Sequence, residues 1–419
     1  MKIAVIGAGI VGITTAYELA VDGHEVTVFE RRGAAAEETS FANAGVVAPG
    51  SVTPWAAPGM PGKVLGNLLS RHAAIKLSLP LSGNDLAWMW KWWRACKLET
   101  YLANRARLQR LAFYSQSRLH QLTEDLQLDY DRAKGYTVLL RSEKDSRLVQ
   151  PGLQILRDAG VAFSEINAEG VRKIEPAINP DTEFLGGIHL PNDEVANCRQ
   201  FALLLKDKAR DLGVKFEFNT TVDQLNNAQA ASVLIAGDNT PRQFDRIVMC
   251  AGLASAALLK PLGLKIPMAA VYGYSISAPI REALNAPRSA LMDERYKVAI
   301  SRLGNRVRVA GSAEIGGSLA KHRASSIQTL YKVLHDWFPG AAQNANTGSS
   351  VQVWKGARPM LPDGPPIIGD SGIPGIWLNL GHGSSGWALS CGSARALADL
   401  MAGKAAEVNM EGLSVARLS

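Results

Sequence analysis

The sequence predicts an α/β protein, with a helix-flanked parallel sheet and a second α+β domain built from two insertions. Three observations carry that prediction. The chain opens on strand, glycine turn, helix, strand and carboxylate within thirty residues. Two more strand-plus-glycine segments lie far downstream, at 246–252 and 376–386. The stretches between them follow other patterns, amphipathic helix over 98–126 and alternating strand-like runs between 272 and 311.

The first element is Lys2-Ile3-Ala4-Val5-Ile6, a short apolar run rich in β-branched residues. Gly7-Ala8-Gly9-Ile10-Val11-Gly12 follows, then a helix-like stretch closed by Asp22-Gly23, then a second strand ending at Glu30. This is the layout of a Rossmann-like dinucleotide site. Gly7 permits the tight turn, Gly9 lets backbone N–H groups approach a pyrophosphate, and Gly12 lets the helix lie close on the strand. The helix N-terminus offers its partial positive charge to the phosphates. Glu30 is placed to accept both ribose hydroxyls. It would repel a 2′-phosphate, which disfavours NADP despite Arg31 and Arg32.

The later elements decide which dinucleotide. Residues 38–45 (ETSFANAG) form a polar loop whose Thr39, Ser40, Asn43, Ala44 and Gly45 suit a second approach to phosphate and ribityl groups. The strand from Arg246 ends in Ala251-Gly252, small enough for backbone to pass beside the nucleotide. The run Ile376–Leu380 reads as a strand entering Gly381-His382-Gly383-Ser384-Ser385-Gly386. An apolar helix then begins at Trp387. A second helix N-terminus suits an electron-rich ring, such as a reduced flavin with its negative charge near N1 and C2=O. These additions point to FAD, held without a covalent tether because no cysteine stands where one would attach.

Together with residues 356–364 (GARPMLPDG) and 381–387 (GHGSSGW), these motifs resemble the FAD-dependent D-amino acid oxidase superfamily over nearly the whole chain. The phrases PWAAPG (54–59), LPNDE (190–194) and LSVAR (413–417) resemble its bacterial D-amino acid dehydrogenase small-subunit branch. The resemblance implies further cofactor contacts at Ile10, Val11, Arg31, Val222, His382, Gly383, Ser384, Gly386 and Trp387. It also implies oxidative deamination of a D-amino acid to a 2-oxo acid and ammonia, with electrons passed to a quinone or similar acceptor. Two alternatives stay open: an oxygen-using amine oxidase acting on glycine, sarcosine or D-proline, and a flavin-binding subunit that needs partner subunits. Ser51, where relatives often carry an aromatic residue, leaves the side-chain preference open.

Oxidation of an amino acid at a flavin asks the protein mainly for positioning. Arginine suits the carboxylate because its planar fork binds both oxygens. Arg302 is the first candidate, favoured by family position, and Arg358 the second. Tyr272 and Tyr274 share one strand face and can cover the substrate. His382 lines the pocket, donates to the flavin or caps the helix. Ser384 and Ser385 are expected to cap it rather than act as nucleophiles. The remaining histidines are expected at the surface.

Segments 1–80, 195–260 and 355–419 are expected to form the FAD-binding domain. Segments 81–194, mainly helical, and 261–354, with a hairpin turning at Leu303-Gly304-Asn305, are expected to form the substrate domain. Composition (47% hydrophobic, 20% charged over 419 residues) is that of a globular protein. No run of about 18 apolar residues predicts a spanning helix, and the N-terminus is too short in apolar residues for a signal peptide. Four widely spaced cysteines predict reduced thiols, no metal site and a cytoplasmic setting. The net charge of +7 comes without basic runs interleaved with aromatics, which argues against nucleic acid. Trp88, Trp90, Trp92 and Trp93, with Lys91 and Arg94, read as packing residues or as an interfacial helix for peripheral inner-membrane association.

Overall fold

The computed structural model describes residues 1–418 apart from 67–69, 71, 228–230 and 343–350. Lys2–Ile6 is buried along nearly its whole length, as a strand covered on both faces must be. It lies inside a six-stranded sheet ordered Ile367–Asp370, Ile376–Leu380, Arg246–Met249, Lys2–Ile6, Glu25–Phe29, Lys215–Glu217. All neighbours are parallel except the first pair. The strands ending at Ile6, Met249 and Leu380 are adjacent and point the same way. Their following turns therefore emerge at one edge, where ligands of open α/β sheets bind.

Two helices pack side by side on this sheet, Ile10–Val21 and the terminal Gly386–Met401, and the long helix Leu98–Asp125 crosses them. At that crossing Gly392 sits against the Ser115 backbone, leaving no room for a Cβ. Glu18, fully buried, binds Arg118 at 2.7 Å and Arg395 at 3.0 Å, so one carboxylate ties all three helices together.

The second sheet runs Gln352–Met360, Ala269–Pro279, Arg306–Gly316, Val298–Leu303, Ala290–Asp293, Arg132–Leu140, Gly186–Ala196, Val46–Val47. Ile75–Ser78 and Ser164–Asn167 pair at its sides. The expected hairpin is present, with Gly304 in the left-handed region at φ +56°. The first insertion is mainly helical, as expected, but it also contributes two long strands to this sheet. Arg132–Leu140 and Gly186–Ala196 pair with each other across about fifty residues; the first is interrupted by Gly135 and the second carries two glycines, a proline and two acids, so neither shows a clean strand period. Strands Val46–Val47, Ile75–Ser78 and Gln352–Met360 also join this sheet, so the chain passes between the two sheets within those segments.

One face of the large sheet buries Ile276, Ile300 and Val309 against the helix Ala324–Trp337. The other face meets the nucleotide loop. Among the described residues no helix is long and apolar enough to cross a membrane, and no cluster of His, Cys, Asp and Glu could hold a metal ion.

Candidate active site

Three glycine turns gather at the shared edge. Gly7 has φ +102°, and a Cβ there would stand 2.8 Å from the Cys250 carbonyl, with Ala251 alongside. A Cβ at Gly12 would collide with the Gly7 carbonyl, so helix and turn fit only without side chains. Gly381 and Gly383 are both left-handed, at +79° and +57°. Strand neighbours stand about 5 Å apart, so the turns after Ile6 and Leu380, two strands apart, lie within roughly 10 Å of each other. The two helix N-termini therefore open onto one site. No side chain of the Ser385 cap bonds the start of the terminal helix, contrary to the expected capping by the serines. A 3-10 turn, Gly383–Ser385, leads straight into it.

Glu30 stands at the end of the second strand. Its two oxygens accept the Ala8 and Arg32 N–H groups, each at 2.8 Å. Residues 217–222 run beside it, with Thr220 N donating to the Glu30 carbonyl, and this brings Val222 to the same end of the site. Arg31 and Arg32 are both turned to Glu38, at 2.6 and 2.8 Å, away from any phosphate role.

The 38–45 loop is stitched at both sides. Ser40 Oγ accepts the Ile10 N–H at 3.0 Å, and Thr39 Oγ1 donates to the Ala357 carbonyl at 2.7 Å. From the large sheet, Ser301 Oγ donates to the Ala44 carbonyl at 2.7 Å and Arg308 to the Asn43 carbonyl at 3.1 Å. The loop is thus held between the sheets, and Trp387 Nε1 adds a bond to Ala196, the ladder partner of Gly45.

The sheet face over this loop carries Arg358 and Arg308. Arg358 pairs in register with Val271 and lies across Gly273, where any Cβ would strike its guanidinium. Its Nη1 donates to the Ser312 carbonyl at 2.9 Å, and its guanidinium stands 5.7 Å from the Trp55 ring centre. Ser312 is the extra residue of a β-bulge and sits at φ +59°, so the bulge aims that carbonyl at the arginine. Neither arginine has a carboxylate within ion-pair distance among the described residues. Burial pulls both down to about 10, and both remain cations at neutral pH. Ser275, on the same face, keeps a buried hydroxyl without a hydrogen-bond partner.

Strand alternation separates the other expected residues from this group. Ser301 faces the loop, so Arg302 faces the opposite side, where it bonds the carbonyls of Gly304 and Ala283 near solvent. Tyr272 and Tyr274 do share a face, but it is the face opposite Arg358. Tyr274 is spent on Glu314, itself paired with buried Lys355 at 2.9 Å, and Tyr272 lies 4.4 Å from the Lys355 ammonium. His382 is buried, and its Nε2 lies 3.0 Å from Ser393 Oγ. That hydroxyl already donates to Ser390, so the imidazole is assigned as the Nε2–H tautomer. Burial drives its pKa to about 3 and keeps it neutral. Several other histidines are not free at the surface, for His120 pairs with Glu194 at 2.6 Å and His189 with Thr137 at 3.0 Å.

Arg308, Ser275 and Ser301 were not singled out from the sequence. Only the alternation of their strands marks them, and it has meaning once the loop-facing side is known.

The residues fit FAD: glycine turns at three strand ends, a carboxylate at the ribose position, and a second helix start for the ring. Comparison with known proteins agrees. A D-amino acid dehydrogenase of Bradyrhizobium diazoefficiens is 41% identical over 421 residues, covering 100% of this chain and 99% of that one. Solved structures share the fold at low identity. Glycine oxidase from Geobacillus kaustophilus matches with TM-score 0.76 at 19% identity, over 99% of this chain and 98% of its own. Iminodiacetate oxidase from Chelativorans sp. BNC1 matches with TM-score 0.73 at 21% identity, over 98% of each chain. The model of the FAD dependent oxidoreductase family (DAO) matches residues 2–400, and the chain belongs to that family.

Proposed function

We propose that this protein is a D-amino acid dehydrogenase, converting a D-amino acid to the imino acid, which water hydrolyses to a 2-oxo acid and ammonia. The observation that carries this reading is Arg358, a recessed cation with no carboxylate partner, held over the nucleotide loop by the Ser312 carbonyl. An α-amino acid supplies the missing anion. The D-enantiomer and the dehydrogenase activity are taken from the 41% identical relative, whose name states both.

FAD supplies the two-electron sink for the hydride of the α-carbon. The chain's own residues bind and orient. Arg358 holds the carboxylate through the free part of its fork, and Ser275 Oγ offers a further donor beside it. Trp55 and Trp354, whose ring lies over Gly356, restrict water on that side. Neutral His382 leaves the amine proton to solvent.

The test is anaerobic addition of D-alanine and L-alanine to the yellow enzyme. D-alanine bleaches the flavin and L-alanine does not; equal bleaching by both removes the stereochemical assignment. Peroxide formed in air at the rate of turnover would instead mark an oxidase.

The acceptor is a quinone or similar carrier, and the helix Gly83–Ala95 seats the protein on the membrane that contains it. Trp88 and Trp92 stack on the buried side of this helix. Leu86, Trp90 and Trp93, spaced by four and three residues, stand 55%, 56% and 52% exposed on another side, with Lys91 and Arg94 also exposed. An apolar face beside cations suits the interface of anionic lipids. Sedimentation with vesicles containing anionic phospholipid should carry down the wild type and release the Trp90→Ser/Trp93→Ser double variant. Equal recovery of both in the supernatant would refute the seating.

A further inference from the structure

A second chamber lies apart from the arginine face. It has a volume of about 760 Å³ and opens between the helix Gly83–Ala95, the helix Ala254–Leu259 and the start of the strand Ala269–Pro279. Ala270 and Tyr272 line it, and these alternate along the strand with Val271 and Gly273, the residues beside Arg358. The chamber is therefore not the pocket of the amino acid.

The geometry points to this chamber as the binding site of a quinone headgroup, the electron acceptor of the reaction. This rests on the acceptor reading above. Four features favour that ligand over a small hydrophilic one. The first is the wall, which is largely apolar, with Trp88, Met268 and Ile266 beside Ala256 and Ala257, and the size suits a drug-sized ring system. The second is the polar set. Lys91, Lys260 and Lys265 line the chamber, and none of them makes an ion pair among the described residues. The carboxylate of Asp85 is occupied at its own helix cap by Ser82. Ammonium donors with no acceptor of their own match the carbonyl oxygens of a quinone.

The third feature is the mouth. Lys91 and Trp88 belong to the helix whose outer face exposes Leu86, Trp90 and Trp93, and Pro80 in the lining follows Leu79, which is 86% exposed. A lipophilic molecule enters from that side without crossing water. The fourth is the short connection inward. Trp88 Nε1 donates to the Met360 carbonyl at 2.8 Å, and Met360 is bridged to His382 in the glycine turn. The chamber wall is thus one residue removed from the flavin side of the molecule. The balance closes: two hydrogens leave the amino acid as its C=N bond forms, and two arrive on the quinone oxygens to give the hydroquinone.

The test uses the purified FAD-loaded protein and a short-chain benzoquinone. Binding is read from quenching of tryptophan fluorescence, since Trp88 is in the wall, and turnover with D-alanine is followed with either the quinone or an artificial dye. Two variants narrow the chamber from opposite walls, Ala87→Phe and Ala257→Phe, both at exposed helix positions. In each, the quinone Kd is expected to rise about tenfold or more, equivalent to roughly 1.4 kcal/mol, while dye turnover is unchanged. Quinone reduced and bound equally well by wild type and both variants would overturn the chamber assignment and leave the acceptor reading intact. A wild type that turns over with dye but neither binds nor reduces the quinone would overturn both.

Discussion

Replacing Arg358 by alanine removes one of the two recessed cations, with Arg308, that face the nucleotide loop without a carboxylate partner among the described residues. Its Nη1 is already committed to Ser312 at 2.9 Å, which fixes the plane of the fork and leaves its other N–H groups for the substrate. The loss of one partner of a hydrogen-bonded charge pair costs about 2–5 kcal/mol, or ~30-fold to several thousand-fold in affinity. The expected result is a rise in KM for D-alanine within that range, measured with an artificial acceptor, with flavin content preserved. Arg358→Lys keeps the charge but not the fork, so it should recover part of the loss. Arg302→Ala serves as the control. Its side chain bonds two loop carbonyls near solvent, and KM should not move. The reverse outcome, a large effect at Arg302 with none at Arg358, would refute the reasoning from strand alternation.

Glu30→Ala should weaken FAD binding by about 10- to 150-fold, for the loss of one charge-assisted hydrogen bond worth roughly 1.5–3 kcal/mol; titration of apoprotein with FAD checks it. Gly12→Ala should give protein that cannot hold FAD, because the new methyl group strikes the Gly7 carbonyl, and flavin absorbance per folded chain by circular dichroism measures this. His382 has a folded pKa of about 3 against 6.5 in the unfolded chain, so the unfolded state binds its proton first. Stability is therefore complete above pH 6.5 and lost as pH falls toward 3, by about 1.4 kcal/mol per pH unit. His382→Asn should remove that share of the slope between pH 6.5 and 5 in urea unfolding, and an unchanged slope would mean the imidazole titrates normally. Ser312→Val places a β-branched residue at φ +59° and should raise KM through Arg358, whereas Ser312→Gly should not.

The parallel half of the fold was legible because its signals are local. Gly7, Gly12 and the run after Leu380 are demanded by backbone packing that any occupant of those positions would violate, so their types alone reveal the turns. The large sheet was less legible. Arg132–Leu140 finds its partner Gly186–Ala196 only through tertiary contact, and neither segment carries a clean period of two. The arginine was the hardest part. Arg302 follows an apolar strand-like run and Arg358 sits in the Gly356-Ala357-Arg358-Pro359 segment, and neither pattern says which way its side chain points. The distinction comes from register: Ser301 reaches Ala44, so its neighbour Arg302 faces away, while Arg358 crosses Gly273 toward a carbonyl supplied by a bulge. The tryptophans show the same limit. Spacing alone placed four of them around one helix, and only packing divides them into a buried pair and an exposed pair.

A crystal structure of the FAD-loaded protein with a D-2-hydroxy acid, which keeps the carboxylate and lacks the amine, probes the core of this account. The prediction is a flavin nucleotide lying against both helix starts, with the acid's carboxylate on the Arg358 fork. A carboxylate bound at Arg302, or a nucleotide lying away from the Gly381 turn, would contradict it.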